Sequence, residues 1–147
     1  MRIAVAGAGA GGRSIAQNLL GLGHSVLLIE SRRSAYRPER VPDADWMWAD
    51  ACELTRLEAA GIEGCDVVIA TTGDDKVNLV FSLLCKMEFG VPRVIARVND
   101  ASHHWLFNEA WGVDVAVSTP ITAVAVVESV RLIDERTSSV PPVRSDG

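Results

Sequence analysis

A chain of 147 residues, 48% hydrophobic and carrying a formal net charge of −5, is sized for one domain with a substantial core. The negative balance argues against nucleic acid as a partner, because neutralising phosphates takes a basic face. No apolar run reaches the roughly eighteen residues of a membrane span, nothing reads as a cleavable leader, and Cys52, Cys65 and Cys85 form no metal or redox motif. These features predict a cytoplasmic protein with reduced thiols, no metal site and no direct membrane insertion.

The first predicted strand is the apolar run over residues 3–6. It feeds Gly7-Ala8-Gly9-Ala10-Gly11-Gly12, a G-x-G-x-x-G loop. Ile15, Ala16, Leu19, Leu20 and Leu22 then recur at helical spacing up to a stop at Gly23. A second apolar run over 25–29 ends in Glu30, eighteen residues after Gly12. Strand, glycine loop, helix, strand and acid in this register form a dinucleotide-binding fingerprint. Gly7 serves the tight turn, Gly9 the approach of backbone to a pyrophosphate, and Gly12 the close packing of helix on strand. The helix start offers N–H groups to phosphate. Glu30 is placed to accept from the adenosine ribose hydroxyls, with Ser31 and Arg32 beside it on the same rim. A ribose 2′-phosphate would face Glu30, so NADPH is expected to bind much worse than NADH, with Arg32 and Arg33 softening the repulsion.

Residues 31–45 are polar and punctuated by Pro38 and Pro42, which suits a loop or short helix. Residues 46–49 read as a third strand ending at Asp50, with Trp46 and Trp48 on one face, expected to pack on a helix or partner subunit. A short helix over 53–60 closes at Gly61, and residues 67–70 are a continuous buried-type strand. The loop Thr71-Thr72-Gly73-Asp74-Asp75 precedes a helix with Val77, Val80, Phe81, Leu84 and Met87 on one face, stopped by Gly90. A fifth strand over 94–96 ends in Arg97, a helix is expected over 102–111, and a sixth strand over 113–117. This alternation predicts an α/β fold: a doubly wound, Rossmann-like parallel sheet of order 3-2-1-4-5-6 with right-handed crossovers. Ligand belongs over the strand ends, where strands one and four diverge.

After Pro120 a further helix is expected over about 120–136. Its first part, 121–127, is apolar nearly all the way round, where a surface helix shows one stripe. Two covers are open: deep burial in one protomer, or a dimer partner, which the composition favours. Residues 137–147 have the composition of a flexible tail or linker.

Several candidate site residues carry two readings. Asp50 either caps the next helix or contacts adenosine. Asp74 and Asp75 read as helix caps, leaving ligand contact to the backbone of Thr71, Thr72 and Gly73. Asn78 faces back toward the glycine loop, as a cap or as a ligand contact. Arg97 is either a phosphate contact or the salt-bridge partner of Asp74 or Asp75. His103 and His104 point about 100° apart on a helix and read as a solvated helix start.

The glycine loop, Asp50-Ala51, Thr72-Gly73-Asp74-Asp75 with Asn78, Ala96-Arg97-Val98-Asn99 and Gly112-Val113-Asp114 together resemble the TrkA N-terminal domain. This is the RCK or KTN module of Trk and Ktr potassium uptake systems and potassium channels. The resemblance covers residues 1–136 and implies a Rossmann domain that binds NAD(H), or alternatively ADP or ATP. Its occupancy would be passed through a homodimer or higher RCK assembly to an integral-membrane potassium transporter subunit at the inner face of the plasma membrane. The helix after Pro120 would then be the family's crossover and dimerisation helix. ATP-responsive members carry Arg at the fourth motif position, where this chain has Ala10. That leaves NAD(H) or ADP more comfortable, with Arg13 as a partial substitute. TrkA-like proteins also continue into a smaller ligand-binding domain, which here is absent, removed or carried on another polypeptide.

Two other function classes compete. An NAD-dependent oxidoreductase domain would need an acid–base group near the nicotinamide, and there is no Tyr-x-x-x-Lys pair, Tyr36 being the one tyrosine. A scaffold that binds no ligand would not need an intact glycine loop.

Overall fold

The computed structural model describes residues 1–118 and 130–132. Among residues 1–118 nine strands and α-helices follow one another: β1 (Arg2–Ala6), α1 (Ala10–Gly21), β2 (Ser25–Glu30), β3 (Asp45–Trp48), α2 (Leu54–Ala59), β4 (Val67–Ala70), α3 (Asp75–Met87), β5 (Arg93–Val98) and β6 (Val115–Ser118). The strands form one parallel sheet in the order β3-β2-β1-β4-β5-β6, as the alternation predicts.

Successive residues of the central strands point to opposite faces, and both faces are covered. On one side Ala4, Ala6, Ile29, Val68 and Ala70 pack with Leu57 of α2 and Phe81 of α3. On the other, Ile3, Val5, Leu28 and Ile69 pack with Ile15 and Leu19 of α1. That is why β1 and β4 read as unbroken apolar runs, not alternating ones. Val130, in a helical stretch with Arg131 and Leu132, is fully buried in the α1-side core. The remainder of the helix expected over 120–136, and the tail 137–147, lie outside the described residues.

Three local readings need correction, and the aromatic pair on β3 has an unforeseen neighbour. The helix expected over 102–111 is two short 3-10 turns, Ala101–Leu106 and Glu109–Trp111. Asp100 accepts from Ser102 N and Asn108 from Ala110 N, so each side chain restarts the backbone where an α-helix would have continued. β5 runs one residue past Arg97, which therefore lies inside the strand. β6 starts two residues late because Asp114 is occupied as a brace, accepting from Val94 N at 2.8 Å and Lys86 Nζ at 2.7 Å. Trp46 packs at the margin of the α1-side core, while Trp48 is half exposed, and the two share an aromatic neighbour. Tyr36, from the β2–β3 connection, meets Trp46 edge-on at 5.5 Å and stacks on Trp48 at 6.0 Å.

Candidate functional site

The strand order reverses between β1 and β4, and their ends carry the two loops that floor a cleft. Gly7 N donates to Ile29 O and Thr71 N to Ala6 O, both at 2.8 Å, so the ladder extends one step beyond the strands. Gly7 has φ +105°, and a Cβ there would stand 2.9 Å from the Thr71 carbonyl. At Gly12 the conflict is greater, with a Cβ 1.8 Å from Gly7 O. The loop, α1 and β4 meet backbone on backbone, which only glycine permits. Gly9 differs. Its Cβ would meet nothing nearer than Arg32 Nη2 at 3.8 Å, so whatever requires a glycine there approaches from the cleft.

The cleft has a volume of about 580 Å³. Gly7, Gly9, Ala10, Gly11 and Gly12 line its floor. Glu30, Ser31, Arg32, Asp50 and Ala51 line one end, and Thr71, Thr72, Gly73, Asp74 and Arg97 the other. Two candidate residues stand outside the lining. Ala8 is fully buried, and Asn78 has no exposed surface. Sequence reasoning missed Ile29, Ala49 and Val77, which supply an apolar wall. The first two flank the acids at the ends of β2 and β3, so the signal was their position beside Glu30 and Asp50.

Each polar group has a defined task. Glu30 is 6% exposed. Its Oε1 accepts from Ala8 N at 3.1 Å, and its Oε2 from Ser31 N at 2.9 Å and Arg32 N at 3.0 Å. Asp50 Oδ1 accepts from Cys52 N at 2.8 Å. Burial first, then the Asp50 charge, pushes the Cys52 thiol up to about 11, so it stays protonated at neutral pH. Asp74 caps α3, accepting from Lys76 N and Val77 N. Asp75 does not: it reaches across to the end of β5, accepting from Asn99 N, Asn99 Nδ2 and Asp100 N, with His103 Nδ1 at 2.8 Å. This corrects the capping role of Asp75 and gives His103, whose side chain stays 46% exposed, a buried partner.

Asn78 clamps the loop. Its Oδ1 accepts from Thr72 N and Thr72 Oγ1, and its Nδ2 donates to Thr72 O and Arg97 O. Arg13, the suggested substitute for a motif arginine, donates to Ala8 O at 3.1 Å and does not line the cleft. Arg97 makes no ion pair with Asp74, Asp75 or any other acid among the described residues. Its Nε is buried without a hydrogen-bond partner. An unpaired guanidinium N–H is costly to bury, and the Arg97 side chain also lines the cleft.

α1 adds to this positive end. No side chain caps it and no acid sits in its first turn, so its leading N–H groups and its dipole face the cleft uncompensated. A diphosphate fits that chemistry: backbone donors from the glycine loop, a helix N-terminus and one orphan guanidinium converge where Gly9 leaves room.

The family model described as the TrkA-N domain matches residues 3–119. The chain is 53% identical over 144 residues to the Trk system potassium uptake protein TrkA of Mycobacterium tuberculosis, covering 93% of this chain and 66% of that protein. It spans less than two thirds of that relative's length. The TrkA-N domain of the inner membrane protein ybaL from Escherichia coli superposes with a TM-score of 0.72 at 16% identity, covering 92% of this chain and 95% of that one, a likeness of fold. The GsuK channel bound to NAD gives 0.70 at 25% identity, covering 96% of this chain and 27% of the channel. GsuK bound to ADP gives 0.70 at 26%, covering 92% and 34%.

Proposed function

Because the chain belongs to the TrkA-N domain family, we propose that it is the nucleotide-sensing part of a cytosolic regulator of a Trk-type potassium uptake system. The observation that carries this is a cleft floored by an uncapped helix N-terminus and a glycine loop and lined by Arg97, which pairs with no acid among the described residues. NAD(H) or an adenine nucleotide supplies the anion that this arrangement lacks. NAD and ADP, bound in the GsuK structures, support that ligand class. Ala10 offers no cation to a terminal phosphate, so NAD(H) and ADP are preferred over ATP.

The partners in this reading are a second copy of the chain, in a dimer or larger RCK assembly, and an integral-membrane potassium transporter. No helix among the described residues is long and apolar enough to cross a membrane; in this reading the chain meets its lipid-embedded partner peripherally, at the cytoplasmic face. The matched relatives carry the name of a potassium uptake protein, and among the described residues lining the cleft there is no His, Tyr or Lys to serve hydride transfer. The alternative of an oxidoreductase domain therefore lacks a supporting feature.

Calorimetric titration with NAD⁺, NADH, ADP and ATP, together with identification of any co-purified nucleotide, tests the reading. Micromolar binding with no turnover in a hydride-transfer assay is expected. No binding of any of the four would overturn it. Light scattering across concentration tests the assembly half, which a monomer at high micromolar concentration would overturn.

A further inference from the structure

We propose that the backbone N–H of Gly73 reads the second nucleoside of a bound dinucleotide, and that Asn99 is the positioning residue that aims it. The proposal rests on the reading of the cleft as a nucleotide site, and it assigns a ligand group to the end of the cleft away from Glu30.

Thr72 lines the cleft but keeps no donor for a ligand. Its N–H and its hydroxyl both go to Asn78 Oδ1, at 3.0 and 2.7 Å. Its carbonyl receives two side-chain amides, Asn78 Nδ2 and Asn99 Nδ2, each at 3.0 Å. The N–H of Thr71 is likewise taken, by Ala6 O. Gly73 differs. It lines the cleft, and its N–H has no hydrogen-bond partner among the described residues.

The direction of that N–H follows from the carbonyl before it. In a planar trans peptide the C=O and the next N–H point opposite ways. The Thr72 carbonyl is drawn toward Asn99, which follows β5, and β4 lies between β5 and β1 in the sheet. The Gly73 N–H therefore faces the β1 side, where the glycine loop borders the cleft. Two amides on one carbonyl fix this peptide from α3 and from the end of β5 at once. Asn99 is itself held. The buried carboxylate of Asp75 accepts its backbone N–H at 2.7 Å and its Nδ2 at 3.0 Å. An amide nitrogen carries two hydrogens, so Asp75 takes one and turns the other onto Thr72 O.

This donor belongs to the second half of a dinucleotide. With the adenosine ribose at Glu30 and the diphosphate over the glycine loop, the part of a ligand that reaches Gly73 lies beyond the diphosphate. ADP ends before it. NAD(H) continues into a second nucleoside, whose ribose hydroxyls and carboxamide carry oxygen acceptors. A Cβ at Gly73 would meet nothing within 4 Å, so the protein leaves this approach open.

The test is amide NMR and calorimetry on the isotope-labelled 147-residue chain, titrated with NAD⁺ and with ADP, for the parent and Asn99→Ala. In the parent the Gly73 amide proton should move downfield at saturating NAD⁺, as an N–H does on gaining an acceptor, and much less with ADP. Asn99→Ala should weaken NAD⁺ by about fivefold, the scale of one neutral hydrogen bond, and leave ADP within about twofold of the parent. A Gly73 amide unmoved by saturating NAD⁺ overturns the proposal whether or not the variant folds, and leaves the nucleotide site standing. Equal losses of both ligands in the variant overturn the positioning role, since Asn99 would then only stiffen the loop, and so does an unchanged NAD⁺ affinity. Failure of both ligands to bind the parent overturns the reading of the cleft and this proposal with it.

Discussion

The carboxylate of Asp75 and the ring of His103 meet at 2.8 Å, joining the first turn of α3 to the segment that follows β5. Asp75 is 7% exposed and also receives the backbone N–H groups of Asn99 and Asp100. One side chain thus ties together the two loops that flank the Arg97 end of the cleft.

That tie should make stability depend on acid. Burial alone would raise the Asp75 carboxyl, but the hydrogen bonds from Asn99, His103 and Asp100 outweigh it and hold the group below the ordinary carboxylate value of 3.8. A group depressed on folding stabilises the protein fully above its unfolded pKa, and the contribution disappears as pH falls through the folded value. Denaturant melts of the parent should therefore lose stability below about pH 4, the unfolded Asp range. Asp75→Asn should be about 2 kcal/mol less stable at pH 7, the scale of a hydrogen-bonded charge, and should show a shallower acid limb. Parallel acid limbs in the two proteins would remove Asp75 from this role.

The two central glycines of the loop should fail differently. Gly12→Ala forces a methyl to within 1.8 Å of Gly7 O, and nothing rigid there can yield, so the variant should unfold or lose several kcal/mol. In Gly9→Val the Cβ meets only the flexible tip of Arg32, and the variant should keep the parent melting temperature within a few degrees while losing nucleotide binding. A thermal melt and one titration on each variant separate the outcomes. Unimpaired binding by Gly9→Val would place the ligand elsewhere.

Asn78 should matter for stability first and for binding through the loop it holds. Its amide makes four bonds inside the protein, to Thr72 and Arg97 O, with no surface exposed. Asn78→Ala should cost about 2–3 kcal/mol by stranding buried backbone groups. Asn78→Asp is nearly isosteric but replaces the donor facing Thr72 O and Arg97 O with an acceptor, so it should be the worse of the two. Urea midpoints check the order, and Asp ranking above Ala would mean the amide donor is not what holds the loop.

The sheet order was legible because its strands are covered on both faces, so runs such as 3–6 and 67–70 stand out as unbroken apolar stretches. The cleft was legible for the same reason: Glu30, Asp50, Thr71 and Arg97 are at or near strand ends, and topology gathers strand ends. What stayed hidden were contacts between residues far apart in sequence. Asp75 and His103 are 28 residues apart, and no spacing rule connects a first-turn helix acid to a histidine beyond the next strand. Glu30 was placed at the cleft, but the backbone N–H groups that hold its carboxylate become visible only once the turn after β2 has a shape. The 102–111 segment shows the limit of pattern. Its residues are compatible with a helix, and the side chains of Asp100 and Asn108 interrupt it.

Arg97 gives the sharpest test of what the cleft binds. Its carbonyl is bonded to Asn78 whatever its side chain does, so Arg97→Met keeps that clamp while removing the charge and the orphan Nε. With a buried unsatisfied donor gone and a hydrophobic stem of similar length kept, the variant should be as stable as the parent or slightly more so. If the guanidinium serves a diphosphate, ADP and NAD⁺ should bind about tenfold or more weakly to the variant, the scale of one charge-assisted contact, and adenosine should be unaffected. The salt dependence of ADP binding should also flatten, because one counter-charge to the phosphates is gone. Calorimetry with adenosine, ADP and NAD⁺ at two ionic strengths reads all three quantities. Unchanged ADP affinity would show that Arg97 faces no phosphate, and a loss shared equally by adenosine would show that the substitution had disturbed the cleft as a whole.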